Sequence, residues 1–170
     1  MSRQFVTEAV MVAIYGQLLT SPAPVEYIVP YTSLLELYEF QDSAEPLMDN
    51  PMDDQHVKRK VSELISYFEE PLNQKKIRRA LQMPWAKSLP ILFDANTSLI
   101  IINAVDTAHY GEYFDPIETE LVLTAQRESL PILTDQLDWI HRIIEASVPV
   151  HVYDIDDFDF ALDGPILNNP

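Results

Sequence analysis

Hydrophobic residues along the chain fall into blocks that alternate between short apolar runs and helical spacing. Residues 8–19 (EAVMVAIYGQLL) are apolar nearly all round, which predicts a helix buried on more than one side, and Ser21-Pro-Ala-Pro24 ends it. Val25-Glu-Tyr-Ile-Val29 has strand composition, and after Pro30-Tyr the segment LLELYEF takes up helical spacing, with Thr32 or Ser33 as the expected N-cap. Val57, Val61, Leu64, Ile65 and Phe68 recur on one helical stripe, and a shorter helix over 74–82 follows Pro71. Leu89-Pro-Ile-Leu-Phe93 reads as a strand, and Asp94-Ala-Asn-Thr97 as a turn capping a helix over 98–110 that Gly111 terminates. Asp115-Pro116-x-Glu118 supplies an N-cap, a proline at the first helical position and an acid at the third, so a helix runs from there to about Glu128. A strand over 130–133, a helix over 136–146 and a strand over 149–153 follow, and Arg3 to Val6 forms a weak first strand. Strands separated by helices predict one α/β domain over residues 1–170, a three-layer α/β/α fold around a mainly parallel sheet of about five short strands.

Composition narrows the chemistry. With 170 residues and 47% hydrophobic content the chain can build a sizeable core. Gly is scarce at 3, no G-x-G-x-x-G or Walker-type motif is present, and the absence of Cys removes disulfides, thiolate metal sites and thiol nucleophiles. His56, His109, His141 and His151 show no paired spacing, and no Ser sits in a nucleophile elbow. The amino-terminal residues lack the pattern of a cleaved signal, and no apolar run approaches the ~20 residues that span a bilayer, so the expectation is a soluble, cytoplasmic protein.

Charge is uneven. The formal net charge is −16, yet residues 58–87 carry eight Lys/Arg against Glu63, Glu69 and Glu70, while residues 115–163 carry twelve acids against Arg127 and Arg142. Residues 41–54 are acidic, interrupted by Pro46 and Pro51, and read as a loop or mobile lid ahead of a basic helical insertion over about 56–82. The tail Asp154-Ile-Asp-Asp-Phe-Asp-Phe carries aromatics that need burial and is expected to close the fold.

The acids at strand and helix junctions are the candidate chemistry, because open α/β sheets place their sites there. Each also has a structural reading. Glu118 fits the third position of a capping box, Asp135 and Asp138 fit the N-cap and third position of the next helix, and Glu8 fits an exposed first turn. Glu36, between Leu35 and Leu37, needs a partner or an ion if buried. Lys58, Arg59, Lys60, Lys75, Lys76, Arg78 and Arg79 are either a solvated helix face or a nucleic-acid patch, and Trp85 and Trp139 read as core anchors.

The helix ending His109-Tyr-Gly, then FDPIETELVLTAQRESLPILTDQLDWI and VPVHVYDIDDF, resembles the closing helix, strand, helix, strand of PIN domains, compact α/β/α nucleases that cut RNA with a divalent metal held by acids. Val29-Pro-Tyr-Thr-Ser-Leu-Leu-Glu36-Leu resembles the helix that supplies that family's glutamate; the likeness spans roughly two-thirds of the chain, with 41–90 unmatched in detail. It implies a PIN-like, Mg²⁺- or Mn²⁺-dependent ribonuclease with Glu8, Glu36, Glu118, Asp135 and Asp138 as catalytic and metal-ligating acids, and RNA guided by the basic helices. Two of the family's Asp positions are Glu here, and the fourth position falls on Gln136. An oxygen displaced by about an ångström can cost roughly 10²-fold in rate. The alternative expectation is therefore a catalytically degenerate PIN-like module whose acidic face binds a basic protein or a second copy of the chain.

Overall fold

The structure, a computed structural model, describes residues 3–105 and 113–163. In chain order these form β1 (Arg3–Val6), α1 (Ala9–Ile14) with a 3-10 turn after it, β2 (Val25–Pro30), α2 (Tyr31–Asp42), α3 (Pro51–Phe68), α4 (Pro71–Ala80), β3 (Ile91–Leu92), β4 (Thr97–Ile102), α5 (Pro116–Glu128), β5 (Ile132–Thr134), α6 (Leu137–Glu145), β6 (Val152–Asp154), a second 3-10 turn and α7 (Phe158–Asp163). The sheet order is β3-β4-β2-β1-β5-β6, parallel throughout except for the antiparallel edge strand β3.

Strand alternation divides the core into two layers of side chains. Phe5, Tyr27, Val29, Leu99, Ile101 and Leu133 pack with α1, α2 and α3 on one face. Val6, Ile28, Ile102 and Ile132 pack with Leu121, Val122, Trp139 and Ile143 of α5 and α6 on the other. The result is the expected α/β/α layering, with helices on both faces of a mainly parallel sheet. The acidic tail closes the fold through Phe158, which sits 5.9 Å from Phe5 and 6.5 Å from Tyr27, ring centre to ring centre, whereas Phe160, also expected to be buried, is exposed. No described helix is long and apolar enough to cross a membrane.

Several expected elements differ. Residues 98–102, read as the start of a helix, are strand β4, lying between β2 and β3 with both faces buried. β-branched Ile100, Ile101 and Ile102 suit that two-sided burial, where a period of two replaces the helical one. Asp94 accordingly caps no helix: its Oδ1 accepts from the Asn96 and Thr97 amides, each at 2.8 Å, and turns β3 into β4. Residues 106–110 of that expected helix, its stop Gly111 and His109 lie outside the described residues.

Helix α2 has no side-chain cap, since Pro30 occupies the N-cap position. The two hydroxyls expected there serve tertiary contacts instead: Ser33 Oγ accepts from the Ala9 amide at 2.8 Å, and Thr32 donates to Glu120 at 2.6 Å. The expected lid over 41–54 is shorter and tethered. α2 runs to Asp42 and α3 starts at Pro51, capped by Asn50. Between them Asp54 accepts from the Leu47 and Met48 amides, and Lys58 donates to the Ser43 and Glu45 carbonyls.

Candidate functional site

From β1 the chain moves to β2 on one side, while β5 lies on the other, so the order reverses between β1 and β5. At such a switch point the connections leave the strand ends in opposite directions and open a crevice. Glu8 follows β1 as the N-cap residue of α1, and Gln136 follows β5 as the N-cap residue of α6; neither side chain caps its own helix. Instead Gln136 Nε2 donates to Glu8 Oε1 at 2.6 Å, across the switch point. Just below, Thr7 donates to the Leu133 carbonyl at 2.8 Å and holds the same two strands together.

The other candidate acids arrive from three elements. Asp135, expected to cap α6, accepts from the Tyr15 hydroxyl at 2.7 Å. The N-cap position falls on Gln136, so Asp138 stands at the second helical position rather than the third, exposed in the first turn. Glu36 reaches the crevice from α2, and its Oε1 is buried with no hydrogen-bond partner among the described residues. Glu118, 8% exposed, completes the expected capping box: its amide donates to Asp115 Oδ1 at 2.7 Å, and its carboxylate accepts from the Asp115 amide at 3.0 Å.

Glu118 is also held by a cation. Arg142 of α6 donates from Nη1 to Oε1 at 2.7 Å and from Nη2 to Oε2 at 2.8 Å, a two-pronged pair, and from Nη1 to the Tyr113 carbonyl at 2.9 Å. Such planar, charge-assisted pairs are the strongest side-chain hydrogen bonds available.

The electrostatics divide the acids into two groups. Burial raises the Glu8 carboxyl from its ordinary 4.5 to about 8, and the charges of Glu36, Asp135, Asp115 and Glu118 push the same way. Burial likewise raises Glu36 to about 7, aided by Asp115 and Glu39. For Glu118 burial acts upward too, but the Arg142 hydrogen bonds, the Asp115 amide and the Arg142 charge outweigh it, and its pKa is lowered. Desolvation, then the bond to Asp135, raises the Tyr15 phenol, which stays protonated as a donor.

Glu8, Glu36, Glu118 and Asp135 thus share one electrostatic neighbourhood, whereas Asp138 acts on it only through Arg142. Among the described residues no group of three or more His, Asp or Glu is placed to hold a metal ion.

Sequence reasoning missed Arg142 and Glu120. The signal for Arg142 in the sequence is that it is one of two cations among the twelve acids of 115–163. Glu120, 6% exposed, accepts from Thr32 of α2 and looks in sequence like any other acid of α5.

The basic insertion is partly consumed by structure. Lys58 ties the loop, Lys60 pairs with Glu63 at 3.7 Å, and Lys76 donates to the Pro90 carbonyl at 2.7 Å. Arg59, Lys75, Arg78 and Arg79 are exposed and make no ion pair among the described residues. Trp139 is fully buried as expected, while Trp85 is half-buried beneath the Arg127 guanidinium, 4.8 Å from the ring centre. His56, His141 and His151 are exposed.

No protein-family model matches the chain, and no curated protein matches it.

Proposed function

We propose that the chain is a diverged PIN-like domain that has replaced a metal with an internal cation, and that its acidic crevice binds a basic protein. The observation carrying this reading is the two-pronged Arg142–Glu118 pair, in which both carboxylate oxygens are already engaged by a fixed positive charge. Gln136 extends the same substitution, because an amide donating to Glu8 needs no ion between them. The remaining carboxylates repel one another, and Glu36 Oε1 lacks a donor, so a lysine or arginine from a partner would relieve both. The acidic stretch 115–163 supplies long-range attraction for such a partner.

A metal-dependent ribonuclease would draw on the same orphaned oxygen of Glu36. Its donor set fits poorly: Glu118 is committed to Arg142, and the fourth position offers a neutral amide. We therefore derive no step through a metal.

An oligoarginine peptide titrated calorimetrically tests the reading. Binding should weaken steeply with salt and fall at least tenfold in Glu36→Gln and Glu8→Gln, while Asp49→Asn with Asp53→Asn, exposed acids on the loop and first turn of α3, should change it less than about threefold. Mn²⁺-dependent cleavage of single-stranded RNA that disappears in Glu36→Gln would overturn it, as would peptide binding that tracks only total charge.

A further inference from the structure

A separate cavity of about 160 Å³ lies between α2 and the α3–α4 hairpin, sharing no residue with the acidic crevice. Tyr31, Leu34, Tyr38 and Ile77 contribute its walls. Its polar groups are unusually mixed for so small a space: the Glu69 carboxylate, the Gln74 amide and the Arg78 guanidinium, all on exposed residues. The Tyr38 hydroxyl donates to Glu69 Oε2 at 3.0 Å, and a carboxylate keeps further acceptor capacity beyond one such bond. Pockets that hold whole drug-sized ligands run to roughly 300–1,000 Å³, so this one has room for a single ring system.

Gln74 and Arg78 stand four residues apart on α4 and therefore share one face, and Lys75 and Arg79 form the adjacent row. All four are exposed, and Lys75, Arg78 and Arg79 make no ion pair among the described residues. An apolar, tyrosine-bearing slot with hydrogen-bonding groups at its edge, flanked by unpaired cations, is the arrangement that takes an unstacked base and its phosphates. An apolar side chain of a protein partner would leave the carboxylate, amide and guanidinium without work.

We propose that this cavity takes one base of a single-stranded nucleic acid, with Lys75, Arg78 and Arg79 on neighbouring phosphates. Glu69 accepts from the exocyclic amino group of adenine, cytosine or guanine, which uracil lacks, so uracil is the base least favoured.

Fluorescence anisotropy of the full chain with short labelled homopolymeric RNAs tests this. Affinity should fall linearly with salt on a log–log scale, and Arg78→Gln should reduce the slope by about 0.7, the single-strand value per phosphate contact. Leu35→Trp, from the exposed edge of the cavity, should fill it and weaken binding roughly tenfold with the slope unchanged. Glu69→Gln should narrow the preference over uracil. Undetectable binding, wild-type affinity in Leu35→Trp, or full displacement of the RNA by a neutral phenylalanine-containing peptide would each overturn the proposal. Arg78→Gln changes only an exposed side chain and keeps it testable should Leu35→Trp fail to fold.

Discussion

Glu118 and Glu36 are the same residue type at the same end of the same sheet, and the fold treats them in opposite ways. Glu118 is the more buried by surface exposure, yet its pKa is lowered, because Arg142 and the Asp115 amide together saturate its oxygens. Glu36 is less buried, yet burial, with the charges of Asp115 and Glu39, raises its pKa to about 7, and nothing donates to Oε1 to offset that push. Burial alone therefore does not set the charge state of an acid here; the donor supplied by a distant element does. The contrast also separates what Glu118 does for the fold from what Glu36 leaves available to a ligand.

The largest way to break the comparison is to remove the cation. Arg142→Met should turn Glu118 into a second Glu36, raising its pKa and destabilising the fold by about 2 kcal/mol, a value reduced from that of a fully buried pair because Arg142 is partly exposed. Urea unfolding measures this, and Glu118→Gln combined with Arg142→Met should recover much of the loss.

Next is pH. The ordinary value of 4.5 for Glu8 and Glu36 becomes about 8 and about 7 in the fold, so between those limits the folded state binds more protons than the unfolded one. Their contribution is fully present below 4.5 and is lost as pH rises through 7 and 8. Discounted heavily for solvent screening, because both carboxylates are only half-buried, the drop in unfolding free energy from about pH 5 to about pH 8 should be about 2 kcal/mol. Glu118 runs the other way: its stabilisation is present above 4.5 and lost as pH falls through its lowered folded value. Chemical denaturation across this range should therefore show an optimum on the acid side of neutrality, and stability that rises from pH 5 to pH 8 would contradict the contrast.

A smaller effect isolates Glu36 itself. Glu36→Gln should stabilise the protein by about 1 kcal/mol at pH 8 and by little at pH 5, since the neutral amide avoids the cost of ionising in place. Asp115→Ala should cost about 1 kcal/mol through the lost cap at pH 5 and less at pH 8, where its charge no longer opposes ionised Glu8 and Glu36. Lys87→Gln, which breaks an exposed pair with Glu128, should change stability by only a few tenths of a kcal/mol. Thermal melts distinguish these by size and by pH dependence.

The parts of the fold that were legible are those governed by neighbours in sequence. The capping box at Asp115 and Glu118 and the apolar stripe of α3 are local patterns, and both are found, whereas Pro51 and Pro71, expected to lie ahead of their helices, are the first residues of α3 and α4. Residues 98–102 misled because a run of apolar residues fits a buried helix as well as a strand, and only β2 and β3 alongside decide between them. Thr32, Ser33 and Asp135 misled differently: each can cap a helix, but a stronger tertiary partner claims it. The candidate acids Glu8, Glu36, Glu118 and Asp135 were named from sequence, and the structure brings them into one neighbourhood. Their charge states were not legible, because these depend on which donors arrive from elsewhere.

The sequence by itself determined the order of elements apart from β4 and α7, the α/β class, the strong start of α5 and the excess of acid in the last third. These follow from interactions within about four residues and from composition, which need no fold to act. Tertiary structure decided that β4 is a strand, that Gln136 reaches Glu8 across a separation of 128 residues and that Arg142 reaches Glu118 across 24. The physical reason is distance: hydrogen bonds and desolvation act over a few ångströms, and only the sheet order brings residues so far apart in the chain within that reach.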